Sequence, residues 1–254
     1  MPVTIKVKAP DEVKVQRDAA ARCVVAHFGS CIPADSRVLC FLDDNDTPAL
    51  RREFGEANRG VYVPINENTN LGAWPPYVTS SMFDAGVPAI DDFIYLSGST
   101  SADEIALTMT LAHELQHAIQ HANASKLWAV NSLVSHLHRS TITDLNLKWT
   151  DIPIEVEARI VSKRVAVMFF GEQRVQHHID GKMAEHIADN DAADWQFIRS
   201  LTPSSSVDLV IGTYELFQRL KCYKPELERE LRSATKDNPQ DYKDVGLDAF
   251  FTEA

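Results

Sequence analysis

Cysteine is scarce in this chain of 254 residues, and the four present, Cys23, Cys31, Cys40 and Cys222, form no close C-x-x-C pair. Four such positions are too few for a disulfide scaffold, so reduced thiols are expected. Glycine (10) and proline (12) are also few, while 44% of residues are hydrophobic and 24% charged. That balance excludes collagen-like, low-complexity and disordered classes. Basic residues are outnumbered, with 25 Lys and Arg against 36 Asp and Glu and a net charge of -11. This is the wrong sign for gripping a phosphate backbone, and no nucleic-acid partner is expected. No run of about 18 apolar residues exists, so no membrane span is expected. The opening segment MPVTIKVKAP alternates Val3, Ile5 and Val7 with polar residues and lacks the apolar core of a Sec signal peptide. A cytoplasmic location is expected, unconventional secretion aside.

The first hundred residues mix two periodicities. Val3 to Val7 alternates like a strand, and Asp11 opens a helical run through Ala19, Val24 and Phe28 that Gly29 and Pro33 end. Arg37 to Leu42, Gly60 to Pro64 and Phe93 to Leu96 are rich in β-formers. Residues 66–91 hold three prolines, two glycines and no period, so they read as a long loop, either bordering a cleft or packing irregularly around Trp74. From Ser99 the pattern turns helical. One helix is predicted over Ser99 to Ala122, capped by Ser99, Thr100 and Ser101 with Asp103 and Glu104 in its first turns. Further helices are predicted at about 126–138, 153–169, 181–199 and 206–221. The expected fold class is α+β, a small N-terminal mixed sheet with helices followed by a mostly helical half. It forms one unit over 1–254: a sheet-containing part (1–98), a helical part (99–224) and a polar tail (225–254).

One stretch of this chain carries chemistry. His113-Glu114-Leu115-Gln116-His117 puts two imidazoles four residues apart, one turn apart on one helix face, with Glu114 beside them. From the chain's own His and Glu usage, chance supplies this pattern about 0.02 times. The helix around it, IALTMTLAHELQHAIQHA, is apolar over most of its girth, so it belongs inside the protein. His113, His117, Gln120 and His121 then form a polar stripe that burial obliges to find partners or a metal.

The strand, helix and H-E-x-x-H order resembles the zincin metallopeptidases. The resemblance implies a zinc ion on His113 and His117, Glu114 as general base, and an active-site helix under a small sheet whose edge strand aligns the substrate. Phe93 to Leu96 is a natural sheet strand in that plan. The metzincin branch continues with Gly at position 120 and His at 123; this chain has Gln120 and Asn123. The gluzincin branch instead takes a Glu from a later helix, and Asp151 to Ala158 supplies two, with Pro153 suited to a first helical turn. Glu155 to Ala158 resembles the E-x-x-A signature of ImmA/IrrE-like and M48-like peptidases, with Arg159 where those families carry Asn or Asp. His113 to Gln120, HELQHAIQ, also resembles minimal metallopeptidase domains of phage polyvalent proteins.

Periodicity leaves the third ligand open. Ile154, Ala158, Val161, Val165, Met168 and Phe169 cluster on one arc, and Glu157 lies nearer its centre. Glu155 shares its shoulder with the small residues Ala158, Ser162 and Ala166, which permit close helix approach, and the resemblance counts it as the ligand. Glu155 is therefore preferred, with Glu157 as the alternate ligand or as a group orienting a histidine. Tyr214, His186, His177, His178 and Tyr95 are candidates for holding an oxyanion. His121 is expected to act behind the ligands rather than as a fourth one, because a catalytic site keeps an open position. His136 and His138 are expected to be exposed, Cys23, Cys31 and Cys40 to be buried packing residues, and Glu226, Glu228 and Glu230 with Arg229 and Arg232 to form a solvated face. The expected activity is zinc-dependent hydrolysis of a protein or peptide substrate by a regulatory or toxin-like protease of narrow range. The non-enzymatic alternative is a zinc-binding interaction module, which has no need of Glu114.

Overall fold

In a computed structural model of the protein, the residues described are 3–43, 50, 59–65, 74, 78–79, 90–123, 130–131, 133–134, 137, 139–185, 191–202, 205–227 and 229. They form an α+β protein, mostly helical, with a small mixed sheet. The strands are β1 (Val3–Lys8), β2 (Val38–Asp43), β3 (Gly60–Pro64) and β4 (Asp92–Ser97). Their order is β1-β2-β4-β3. β1, β2 and β4 run parallel, with Val3 opposite Val38 and Val38 opposite Asp92. β3 is antiparallel to β4, with Val61 opposite Tyr95, and stands at one end of the sheet. The strand over Phe93 to Leu96 is thus internal, and among the described residues β1 and β3 end the sheet.

Strand β4 is buried along its whole length, and its pleat sends alternate residues into two cores. Ile94 and Leu96, with Cys40 and Leu42 of β2, face Leu107, Leu111, Leu115 and Ala118. Phe93 and Tyr95, with Leu39 and Phe41, face the other way and pack with Leu50, Trp74, Val78 and Ile90. Trp74 lies 4.8 Å from Phe93 by ring centroid, so this residue of the long loop is a core residue. The rest of that loop, 66–73, 75–77 and 80–89, lies outside the described residues.

The helices are α1 (Asp11–His27), α2 (Gly98–Ser101), α3 (Glu104–Ala122), α4 (Arg139–Asp144), α5 (Pro153–Phe170), α6 (Glu172–Glu185), α7 (Asp191–Ser200) and α8 (Ser205–Leu220). The single helix predicted over 99–122 is two, because Asp103 interrupts it: its Oδ1 accepts the N–H groups of Ile105 and Ala106, both at 2.8 Å. An Asp that caps the backbone in this way starts a new helix. The run predicted over 181–199 is likewise two helices, and the first begins earlier, at Glu172. Gly171 at φ +79° separates α5 from α6, a left-handed conformation that glycine adopts without steric cost. Of the predicted tail, 225–227 and 229 are helical, and 228 and 230–254 lie outside the described residues.

The chain divides into two compact units, Met1–Ala122 with Val161–Lys182, and Asn123–Ile160 with Met183–Ala254. The first holds the sheet, α1 and α3 around the larger core, into which Val161 and Val165 of α5 also pack. The second has its own core of Val130, Leu133, Val134, Leu137, Leu145, Leu216, Leu220 and Leu227. Helix α5 is continuous across the division, its first turns counted with one unit and the rest with the other.

Candidate metal centre

Helix α3 is apolar enough to be buried on several sides, with Ile105, Leu107, Leu111, Ala112, Leu115 and Ala118 all in the interior. Its polar residues therefore face partners rather than bulk water. His117 and Gln120 are buried, His113 and His121 half-buried. The rings of His113 and His117 stand perpendicular with centroids 4.7 Å apart, and their Nε2 atoms are 3.1 Å apart. His117 Nδ1 lies 2.8 Å from Gln120 Oε1, a carbonyl oxygen, so Nδ1 carries the proton and donates it. Nε2 of His117 then carries the lone pair, 3.1 Å from Nε2 of His113.

Glu155, on the first turn of α5, completes a group: ligand atoms of His113, His117 and Glu155 all lie within 4.8 Å of one another. Two imidazoles and a carboxylate are a donor set suited to zinc. A tetrahedral ion with bonds near 2.0–2.1 Å holds its ligand atoms about 3.3 Å apart, close to the observed spacing of the two nitrogens. The residues present fit such an ion. Glu157 is not in the group. On the helical wheel of α5 a buried arc runs from Val161 through Ile154, Val165, Ala158, Ser162, Glu155 and Ala166 to Arg159, with Pro153 and Ile160 buried on the opposite side. Glu155 sits inside that arc at 4% exposure, and Glu157 lies beyond its edge, half-buried. Met168 and Phe169, apolar members of the arc drawn from the sequence, are exposed at 54% and 38%, while buried Ser162, Ala166 and Arg159 extend the arc past Glu155.

Glu114 is buried beside the two histidines, at 6% exposure. Strand β3 passes so close that a Cβ at Gly60 would lie 3.0 Å from Glu114 Oε1 and 2.5 Å from Thr110 Cγ2. The missing side chain is what lets strand and helix meet. The chain matches no protein-family model, no curated protein and no solved structure.

A second polar cluster adjoins the first. Tyr62 of β3 donates its hydroxyl to Asp92 Oδ1 at 2.5 Å, and its oxygen lies 2.7 Å from His121 Nδ1. Because the one phenolic proton goes to Asp92, His121 Nδ1 must donate to Tyr62. Burial, and then the Asp92 carboxylate, push the Tyr62 phenol far above its ordinary value, so it stays a neutral donor. The Tyr62 ring lies 6.2 Å from that of His117 and 6.1 Å from that of His121. The cluster ties β3, β4 and α3 together behind the metal group. Tyr62 and Asp92 were not singled out by the sequence, because their pairing joins strands 30 residues apart.

The remaining candidates are dispersed. Tyr95 packs in the core on the sheet face turned away from α3. Tyr214 and His177 are exposed, and His178 has Nδ1 3.5 Å from Asp103 Oδ2. His186, His136, His138, Glu228, Glu230 and Arg232 lie outside the described residues, while Arg229 is exposed and Glu226 half-buried. The cysteine expectation needs correcting. Only Cys40 is buried, where desolvation raises its thiol far above the ordinary value, whereas Cys23 and Cys31 are exposed on and after α1.

Proposed function

We propose that this chain is a zinc-dependent peptidase of the gluzincin type on a zincin-like fold, cutting peptide bonds in a narrow set of protein substrates as a regulatory or toxin-like protease. The observation that carries this reading is the convergence of His113, His117 and Glu155 beside the buried Glu114. When bound, zinc supplies Lewis-acid polarisation of a scissile carbonyl and lowers the pKa of water toward 7.

The chain's own residues supply the rest. The hydrogen bond to Gln120 fixes the His117 tautomer and holds its ring in the ligating orientation. Glu114 accepts a proton from the attacking water and passes it to the leaving nitrogen. β3 ends the sheet order, and an extended peptide added along its outer edge would pair by main-chain hydrogen bonds with its backbone near Glu114. That arrangement supports recognition of peptide in extended form.

Glu114→Gln keeps the shape and the ligands and removes the base. Zinc content and unfolding temperature should match wild type, while cleavage of casein, or of natural targets found as new protein N-termini in cells, should fall by about 10²-fold or more. Wild-type cleavage by this variant would remove Glu114 from the chemistry. A wild-type protein that binds zinc and cuts nothing in cells would favour the interaction-module reading.

A further inference from the structure

Arg159 stands one turn after Glu155 on α5, at 5% exposure. Its Nη1 donates to Glu155 Oε2 at 3.0 Å and its Nε to Asp194 Oδ1 of α7 at 2.7 Å. A guanidinium keeps its proton throughout the working pH range, so burying one demands carboxylate partners. One carboxylate would neutralise it, yet two are bonded to it. The two bonds link the Glu155 carboxylate to Asp194 through one guanidinium.

We propose that Arg159, itself fixed by Asp194, is a positioning residue that orients Glu155 as a one-oxygen metal ligand. This rests on the metal-centre reading above. With Oε2 held by the guanidinium, the carboxylate cannot turn both oxygens to one ion, and its short arm cannot swing to another rotamer. Ligation through one oxygen keeps the protein contribution at three atoms and leaves a place for water. Asp194 holds Nε and so fixes the plane of the guanidinium. Coulomb's law alone gives the opposite expectation, because deleting a positive charge beside a ligand should tighten cation binding. The sign of the change therefore separates positioning from plain electrostatics.

The test uses the full chain, with zinc affinity from chelator competition, the visible spectrum of the cobalt(II)-loaded protein, and thermal unfolding of the metal-free form. Arg159→Gln should bind zinc about 10- to 100-fold more weakly, and Asp194→Asn about tenfold. Arg159→Lys should recover only part of the affinity, since an ammonium lacks the planar fork. The Arg159→Gln, Asp194→Asn double variant should be no weaker than Arg159→Gln alone, as expected for groups acting in series. In Asp194→Asn the cobalt bands should weaken toward those of higher coordination number, while the metal-free protein unfolds near the wild-type temperature. Unchanged or tighter zinc binding in Arg159→Gln, beside loss of zinc in His113→Ala, would overturn the proposal. Should Arg159→Gln fail to fold, Asp194→Asn decides it by the same criterion, because Asp194 is only partly buried. Full zinc retention by His113→Ala would instead overturn the metal centre itself, and the proposal with it.

Discussion

A methyl group at position 60 would meet Thr110 Cγ2 at 2.5 Å and Glu114 Oε1 at 3.0 Å, distances at which something must move. The threonine is one turn before Glu114 on a packed helix, so the strand and the glutamate are the parts with freedom to shift. Overpacking of this kind costs about 1–3 kcal/mol. A displacement of about 1 Å at a catalytic group costs about 10²-fold in rate. Gly60→Ala should therefore lower the unfolding temperature modestly and cut peptidase activity by about 10²-fold, with zinc content unchanged because the atoms nearest the added methyl belong to Thr110 and Glu114. Wild-type activity together with reduced stability would show that Glu114 is not set by this contact. The sequence marks Gly60 only as the first residue of a β-rich run. Its importance comes from a helix 50 residues further along, which no local pattern can report.

At the scale of elements, α5 carries a division that the sequence states ambiguously. Glu155 and Glu157 flank an apolar arc, at whose two edges Met168 and Phe169 are apolar yet exposed near the end of the helix. Buried Ser162, Ala166 and Arg159 place Glu155 inside the buried arc, while Glu157 stays half-buried. Glu155→Ala should lose tight zinc and Glu157→Ala should keep it; chelator competition on the two proteins measures this directly, and the reverse ranking would make Glu157 the ligand. The entrance to the sheet is held by a different device. Arg37, just before β2, donates to Asp91 Oδ1 at 2.7 Å through Nη2 and to Oδ2 at 3.1 Å through Nε, tying the starts of β2 and β4. The hydrogen-bonded Arg37 guanidinium holds the Asp91 carboxyl below its ordinary value, against a smaller opposing effect of burial. A depressed carboxyl contributes stability that is present above its unfolded pKa, near 4, and is lost as pH falls through the lower folded value. Asp91→Asn should thus be less stable than wild type in urea at pH 7, by a small margin because both side chains are more than two-fifths exposed, and the gap should close as pH drops below about 4. A gap that widens on acidification would contradict this linkage.

For the whole molecule, what could be read in the sequence follows the range of the interactions. The strand positions, the helical character of the chain after residue 98 and the histidine pair depend on spacings of two to four residues, and local patterns record them. The order β1-β2-β4-β3, the edge position of β3 and the Tyr62–Asp92–His121 cluster depend on contacts tens of residues apart, for which one sequence holds no register information. The helix boundaries at Asp103 and Gly171 fall between these cases: both residue types are recognised breakers, but apolar periodicity runs past them and hides the stop. The metal group is the point at which short-range and long-range information meet. His113 and His117 belong to one helix turn, and Glu155 reaches them through the fold. The most direct test is the metal content of the purified chain measured beside His113→Ala. Each wild-type chain should carry one zinc and the variant should lose it, with a lower unfolding temperature because a ligand bound only by the folded state no longer stabilises it. Wild-type protein that takes up no zinc when it is supplied, or a His113→Ala protein that keeps a full complement, would contradict it.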